Sequence, residues 1–356
     1  MSHLFVPGPV DVATEVLNAQ AQPMLPHRSA AFEEIFHRAR RKAAELFFTQ
    51  ARLFVTASSG SGLQEAAVRN LARQDVLSCI NGAFGKRWYD VALSNGKQAE
   101  PLEVEWSRPL SPGAVAAALE KKQYEIVTLV HNETSTGLQN PVQEIAAAVH
   151  ETSPDTLICV DAVSSLGGAK IETDAWGLDL VLTSSQKCLA LPPGLGLAAV
   201  SERALAYAEE VPDRGWYFDL VRLAKHLDKD STPATPAISL IYALDVQMDR
   251  ILAEGLEARF ARHSAMARRV QEWAQARNLD LYAAEGYRSQ TVTTVANTRE
   301  IDVPGLNAFL MKEDMRIANG YGPLKNKTFR IAHMGETQME DIERLLTVMD
   351  EFIGLA

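Results

Sequence analysis

Between residues 52 and 200 the hydrophobic pattern of this chain switches back and forth between two periods. Residues 53–56, 76–80, 125–131, 156–160, 178–182 and 196–200 are short apolar runs, while 63–71, 112–119 and 142–150 carry helical spacing. A strand with one wet face alternates polar and apolar residues; these runs do not, so both of their faces need cover. Such strands, separated by helices, predict an α/β architecture: a mostly parallel sheet with helices packed on both sides. The last two runs are close enough in sequence to form a hairpin, which would give the sheet an antiparallel member.

The flanks read differently. Pro7, Pro9, Pro23 and Pro26 punctuate the start too densely for one long helix. The helix expected over 29–48 presents Phe32, Ile35, Phe36, Ala39, Ala43, Leu46 and Phe47 as one buried stripe. After about residue 205 come Trp216, Tyr217 and Phe218, then a polar, proline-broken stretch at 229–236. A helical region at 238–277 has Gly255 as its candidate interruption, and strand signals at 290–295 and 328–332 precede a closing amphipathic helix from Glu336. This predicts a smaller α+β domain, with an N-terminal segment at 1–20, a large domain at 21–250 and a small one at 251–356.

Composition narrows the partners. Lys and Arg number 35 against 45 Asp and Glu, a net charge of −10, which repels nucleic-acid backbones and anionic lipid in bulk. No run of 18 uncharged apolar residues is present to span a membrane, and the first twelve residues do not read as a targeting segment. Cys79, Cys159 and Cys188 form no CxxC pair, so reduced packing thiols in a cytoplasmic protein are expected.

Three features carry chemistry. Ser58-Ser59-Gly60-Ser61-Gly62 joins a strand to a helix, where free N–H groups make an anion site; a merely structural turn is the alternative. It lacks the Lys-Ser/Thr ending of a Walker A loop. Asp161 ends the strand at 156–160, placed to meet a ligand at the carboxyl edge of the sheet, or else serving as a loop carboxylate. Lys187 has no charged neighbour from Leu180 through Ser201 and stands in a hydroxyl-rich turn, a candidate amine nucleophile rather than a solvated tip. Phosphate cradle, ring-nitrogen acid and Schiff-base lysine are together the parts a pyridoxal phosphate site requires. His131, at a strand end, is read as structural or catalytic with equal ease.

Seven stretches, at 7–9, 59–62, 81–87, 133–137, 161–165, 184–187 and 329–331, resemble in order those of the class V aminotransferases, in particular the alanine–glyoxylate and serine–glyoxylate (serine–pyruvate) enzymes. The resemblance implies fold type I of the pyridoxal-phosphate enzymes: a seven-stranded-type, mostly parallel sheet in the large domain, and a homodimer with shared active sites. It implies that Lys187 holds pyridoxal 5′-phosphate as a Schiff base and that Asp161 pairs with its ring nitrogen. By the same resemblance Val163 and Phe84 would flank the ring, and Thr134 would sit near its oxygen. Ser61, Gly62 and Gln186 would bind the phosphate with Thr235 of the neighbouring subunit, and Leu63 would also be a cofactor-binding residue, while Thr232 stands where some relatives carry a tyrosine. Arg330 would clamp the substrate carboxylate, with Gly8 beside it; strand alternation alone would leave Arg330 a solvated arginine.

The implied reaction is transamination between a small amino acid, alanine or serine, and a small 2-oxo acid, glyoxylate or pyruvate. An aspartate-type donor and a non-catalytic subunit of a larger redox complex are the alternatives. Cysteine desulfurases share the cofactor domain but need a cysteine in the later half of the chain, and none follows Cys188.

Overall fold

The computed structural model describes residues 3–354. Its larger sheet has seven strands in the spatial order Arg52–Ala57, Leu195–Val200, Leu180–Ser184, Leu157–Asp161, Ile126–Val130, Asp75–Ile80 and Gln98–Glu103. Only Leu195–Val200 runs against its neighbours, pairing antiparallel with Arg52–Ala57 and Leu180–Ser184 as the hairpin expectation requires. The four other pairings are parallel. The central strands are buried along their whole length, the consequence of apolar side chains on both faces.

Helices Ala30–Leu46, Gly60–Leu71, Ala83–Ser94, Pro112–Leu119, Val142–Thr152 and Ile238–Glu254 contribute buried residues to the same hydrophobic cluster as these strands. The stripe on Ala30–Leu46 buries Phe32, Phe36, Ala39, Ala43 and Leu46, and Ser29 caps it by accepting from Phe32 N at 3.3 Å. Gly255, at φ +83°, ends Ile238–Glu254 and lets Leu256–Ala276 leave in a new direction.

A second cluster is built by Phe5, Met266, Val270, Trp273, Phe329, Ile331 and the closing helix Met339–Phe352. Its four-stranded sheet has the order His3–Phe5, Met315–Asn319, Thr328–Ala332 and Val292–Ala296. The first strand was not expected from sequence: three residues pairing parallel with Met315–Ile317 give no periodic signal of their own. That pairing draws the amino-terminal segment across the molecule, so that Gly8 reaches the Lys187 turn of the larger sheet. The edge strand Gln98–Glu103 also escapes sequence reading, because its exposed polar residues look like a loop.

Candidate active site

The candidate residues other than Gly8, Thr235 and Arg330 lie where strands of the larger sheet end, all at one edge. Ser59–Gly62 follow Arg52–Ala57, Phe84 follows Asp75–Ile80, and Thr134 follows Ile126–Val130. Asp161 is the last residue of its strand, and Lys187 lies three residues beyond Ser184. A twisted parallel sheet brings these carboxyl ends to one crevice.

Lys187 is half-buried, and its Nζ donates to the carbonyl of Pro7. Burial lowers its pKa from 10.5 to about 8, and the positive charges of Arg330 and Arg87 add to the effect; Asp161 acts in the opposite sense. Gly8, at φ +92°, is required here: a Cβ would lie 2.6 Å from Lys187 Cδ and 2.7 Å from its Nζ. Asp161 is 5% exposed and accepts from Gln64 Nε2 at 2.7 Å and Val163 N at 2.8 Å. Burial nevertheless raises its pKa to about 6. The crevice thus offers a partly desolvated amine and, within its field, a buried carboxylate without a salt-bridge partner among the described residues.

The helix Gly60–Leu71 begins beside them. Its N-cap, Ser59, makes no side-chain capping bond, so the first-turn N–H groups are available to an anion. Gly60 keeps this turn against Val163, whose Cγ2 would be 2.5 Å from an added Cβ. The buried Ser184 hydroxyl and Gln186 Oε1 have no partner among the described residues. An uncapped helix start, an unpaired hydroxyl, a buried acid and a buried amine together fit a phosphorylated, ring-nitrogen aldehyde. Leu63, by contrast, points into the hydrophobic core.

Phe84 opens the helix Ala83–Ser94, with Arg87 stacked 4.7 Å over its ring and Tyr321 5.5 Å away. Arg87 donates to Ser61 Oγ and to the Tyr321 hydroxyl, each at 3.1 Å, and has no acidic partner among the described residues. Glu133 holds this helix start by accepting from Phe84 N at 3.0 Å and Gly85 N at 3.1 Å. Thr134 is buried and donates to Ser164 Oγ at 2.7 Å.

Arg330 is 8% exposed, on the face of its strand opposite to Phe329 and Ile331, which enter the second cluster. Its Nε and Nη2 both donate to Asn319 O at 3.1 Å, and Nη1 donates to Thr134 O at 3.3 Å. Burial lowers its pKa from 12.5 to about 10. Backbone carbonyls fix this guanidinium without neutralising it.

Thr235 stands apart from this group. It is exposed, on the segment 231–236, beside a groove that includes Thr56, Ala57 and Tyr217. Thr232 is buried and spends its hydroxyl on Ala234 O at 2.7 Å. His131 is structural: its ring is buried, bonded to Ser165 Oγ at 3.0 Å, and burial lowers its pKa to about 4. Gln64, Glu133 and Tyr321 were missed in the sequence reading. Gln64 follows the glycine turn one helical turn on, a spacing that points it at Asp161, whereas nothing local marks Tyr321.

Residues 11–345 match the family described as Aminotransferase class-V. An uncharacterised aminotransferase of Methanocaldococcus jannaschii is 38% identical over 338 residues, 93% of this chain and 87% of that protein. A soluble hydrogenase small subunit of a Synechococcus species is 34% identical over 357 residues, 99% of this chain and 92% of that protein. Among solved structures, an aspartate aminotransferase of subgroup IV from Thermus thermophilus superposes with a TM-score of 0.92 at 31% identity, covering 99% of each chain. An alanine–glyoxylate aminotransferase from a Nostoc species superposes with a TM-score of 0.93 at 29% identity, covering 99% of this chain and 95% of its own. The family match spans most of the chain and the fold agrees throughout, so this protein belongs to the class V aminotransferases, enzymes that use pyridoxal 5′-phosphate.

Proposed function

We propose that the protein transfers an amino group from a small donor, alanine or serine, to a small 2-oxo acid, glyoxylate or pyruvate, with Lys187 as its working amine. The observation that carries this reading is the juxtaposition of three groups. A depressed lysine and a buried aspartate lie within each other's field, and an arginine held by backbone carbonyls and the Tyr321 ring, with no acidic partner among the described residues, stands near the lysine. Bound pyridoxal phosphate supplies an aldehyde that takes up amines and a ring that accepts an electron pair. Ser61 and Gly62, with the free N–H groups of their helix and the Gln186 side chain, would hold its phosphate. Asp161 would pair with the protonated ring nitrogen, whose charge would keep the aspartate ionised despite its burial. Phe84 and Val163 would flank the ring, and Thr134 would lie toward its oxygen.

Arg330 takes the α-carboxylate of the donor in a two-pronged hydrogen bond, which fixes the Cα–H bond relative to Lys187. With a pKa of about 8, Lys187 as a free amine is matched to receive that proton and return it near neutral pH. Gly8 leaves space for the lysine to move.

A specific observation favours a second donor class. Arg87 is a second cation without an acidic partner beside Phe84, and it would suit the distal carboxylate of aspartate. A panel of alanine, serine and aspartate against glyoxylate, pyruvate and 2-oxoglutarate decides between them. Alanine or serine turnover at least tenfold above aspartate supports the first reading; the reverse order supports the second. Purified protein that neither binds the cofactor nor turns over any donor contradicts both.

The same reading includes a homodimer. Exposed Tyr217 (44%) lines the same groove as exposed Thr235, which in a dimer would face the partner's phosphate cradle. Division into 1–20, 21–250 and 251–356 is supported by the change of cluster along Leu256–Ala276, whose Met266, Val270 and Trp273 join the second core.

A further inference from the structure

Lys187 and Arg330 belong to different sheets, and the reaction needs them in fixed register. One buried side chain ties the lysine's turn to the helix between them. Arg259, 1% exposed, lies in the second turn of Leu256–Ala276. Its Nε donates to Gly167 O and its Nη2 to Cys188 O, both at 2.9 Å. Gly167 ends the loop that begins at Asp161 and carries Val163; Cys188 is the residue after Lys187. The remaining nitrogen, Nη1, meets Glu254 Oε2 at 2.6 Å and lies 3.6 Å from Glu336 Oε1.

Glu254 also binds Arg262 Nε at 2.7 Å, and Arg262 donates to Gly335 O at 3.1 Å and Thr337 O at 2.5 Å. Those carbonyls lie just beyond the strand that holds Arg330. The contact is close, because a Cβ on Gly335 would be 3.6 Å from Lys187 O. His263 completes the joint by accepting from Gly335 N at 3.1 Å.

We infer that Arg259 is a positioning residue for the transamination: it clamps the loops of Asp161 and Lys187 to the helix that, through Glu254 and Arg262, also holds the exit of the Arg330 strand. Arg259 divides its fork between two main-chain carbonyls on separate loops, a geometry that lysine cannot reproduce. Burying the guanidinium is costly unless each donor is met, so the arrangement tolerates little drift. Displacing a reacting group by about 1 Å costs on the order of a hundredfold in rate. The inference rests on Lys187 being the cofactor-bearing amine.

The test uses full-length holoenzyme carrying Arg259→Lys or Arg259→Met, with Arg269→Met as the control. Arg269 lies on the same helix in a partly exposed pair with Glu343 at 2.7 Å. In the Arg259 variants, kcat for alanine and glyoxylate should fall about tenfold or more with KM changed less than about threefold. The pH midpoint of the visible band of the lysine-bound cofactor should move by about 0.5 unit or more. Amide exchange of residues 186–191 should accelerate in cofactor-free protein. The control should leave band, exchange and kcat unchanged.

If Arg259→Met does not fold, Arg259→Lys decides, since it keeps a charge for Glu254 and loses only the fork. Wild-type kcat, midpoint and exchange in a variant with a lowered melting temperature would overturn the proposal, as would a folded lysine variant that no longer binds cofactor. Retention of the visible band in Lys187→Ala would overturn the underlying reading instead.

Discussion

Lys187 and Asp161 carry opposite charges, and burial works against both. The folded-state pKa of Asp161 is raised from 3.8 to about 6, so its contribution to stability is full below its unfolded value and is lost as pH rises through 6. Cofactor-free Asp161→Asn should therefore be more stable than the parent at pH 8, by at most about 3 kcal/mol from a shift of roughly two units, with the difference vanishing toward pH 4. Urea unfolding at the two pH values measures this; equal differences at both would contradict it. Lys187 runs the other way: its pKa is lowered to about 8, so its contribution is present above its unfolded value and is lost as pH falls through 8. At Gly8, alanine would have to hold φ +92° against the lysine side chain. Gly8→Ala should cost about 1–3 kcal/mol and abolish the visible cofactor band, read by thermal melts and absorbance. Lys187 and Asp161 were legible in the sequence because Asp161 is the lone acid ending an apolar strand and Lys187 is the lone charge in the turn after another. Gln64 and Tyr321 were not, because what makes them part of the site is contact with residues far along the chain, Asp161 and Arg87.

At the scale of elements, the strand Thr328–Ala332 does two jobs by alternation: Phe329 and Ile331 fill the second core while Arg330 faces the crevice. Its guanidinium is oriented by Asn319 O and Thr134 O, one from the adjacent strand and one from the larger sheet's loop. Arg330→Lys should keep the cofactor band but lower kcat/KM for alanine or serine about a hundredfold, equivalent to about 3 kcal/mol. Near-normal turnover would place the carboxylate clamp elsewhere. Buried strands and the striped helix Ala30–Leu46 were readable because burial on two faces or one leaves a period in the sequence. The helix Ala83–Ser94 was not: its start is fixed by Glu133, fifty residues on, rather than by a local cap. The strand at 180–184 starts two residues later than the apolar run suggests, because Asp179 turns its carboxylate to Ile158 N and Arg203.

At the scale of the molecule, the amino-terminal strand, the helix Leu256–Ala276 and the loop after Arg330 bind the two cores around one crevice. All three cysteines are buried, and burial raises their thiols, to about 12 for Cys79 and Cys188, so none is poised as a thiolate nucleophile. If the partner's Thr235 completes the phosphate cradle, Thr235→Ala should weaken cofactor retention several-fold without changing donor preference, and sedimentation should find a dimer. An active monomer would contradict that assembly. The central claim is that Lys187 bears the cofactor in an aminotransferase site. It is tested most directly by reducing the reconstituted enzyme with borohydride and mapping the phosphopyridoxyl-labelled peptide by mass spectrometry. The account predicts one label, on Lys187, that is lost when alanine or serine is added before the borohydride; a label on any other lysine, or none, would contradict it.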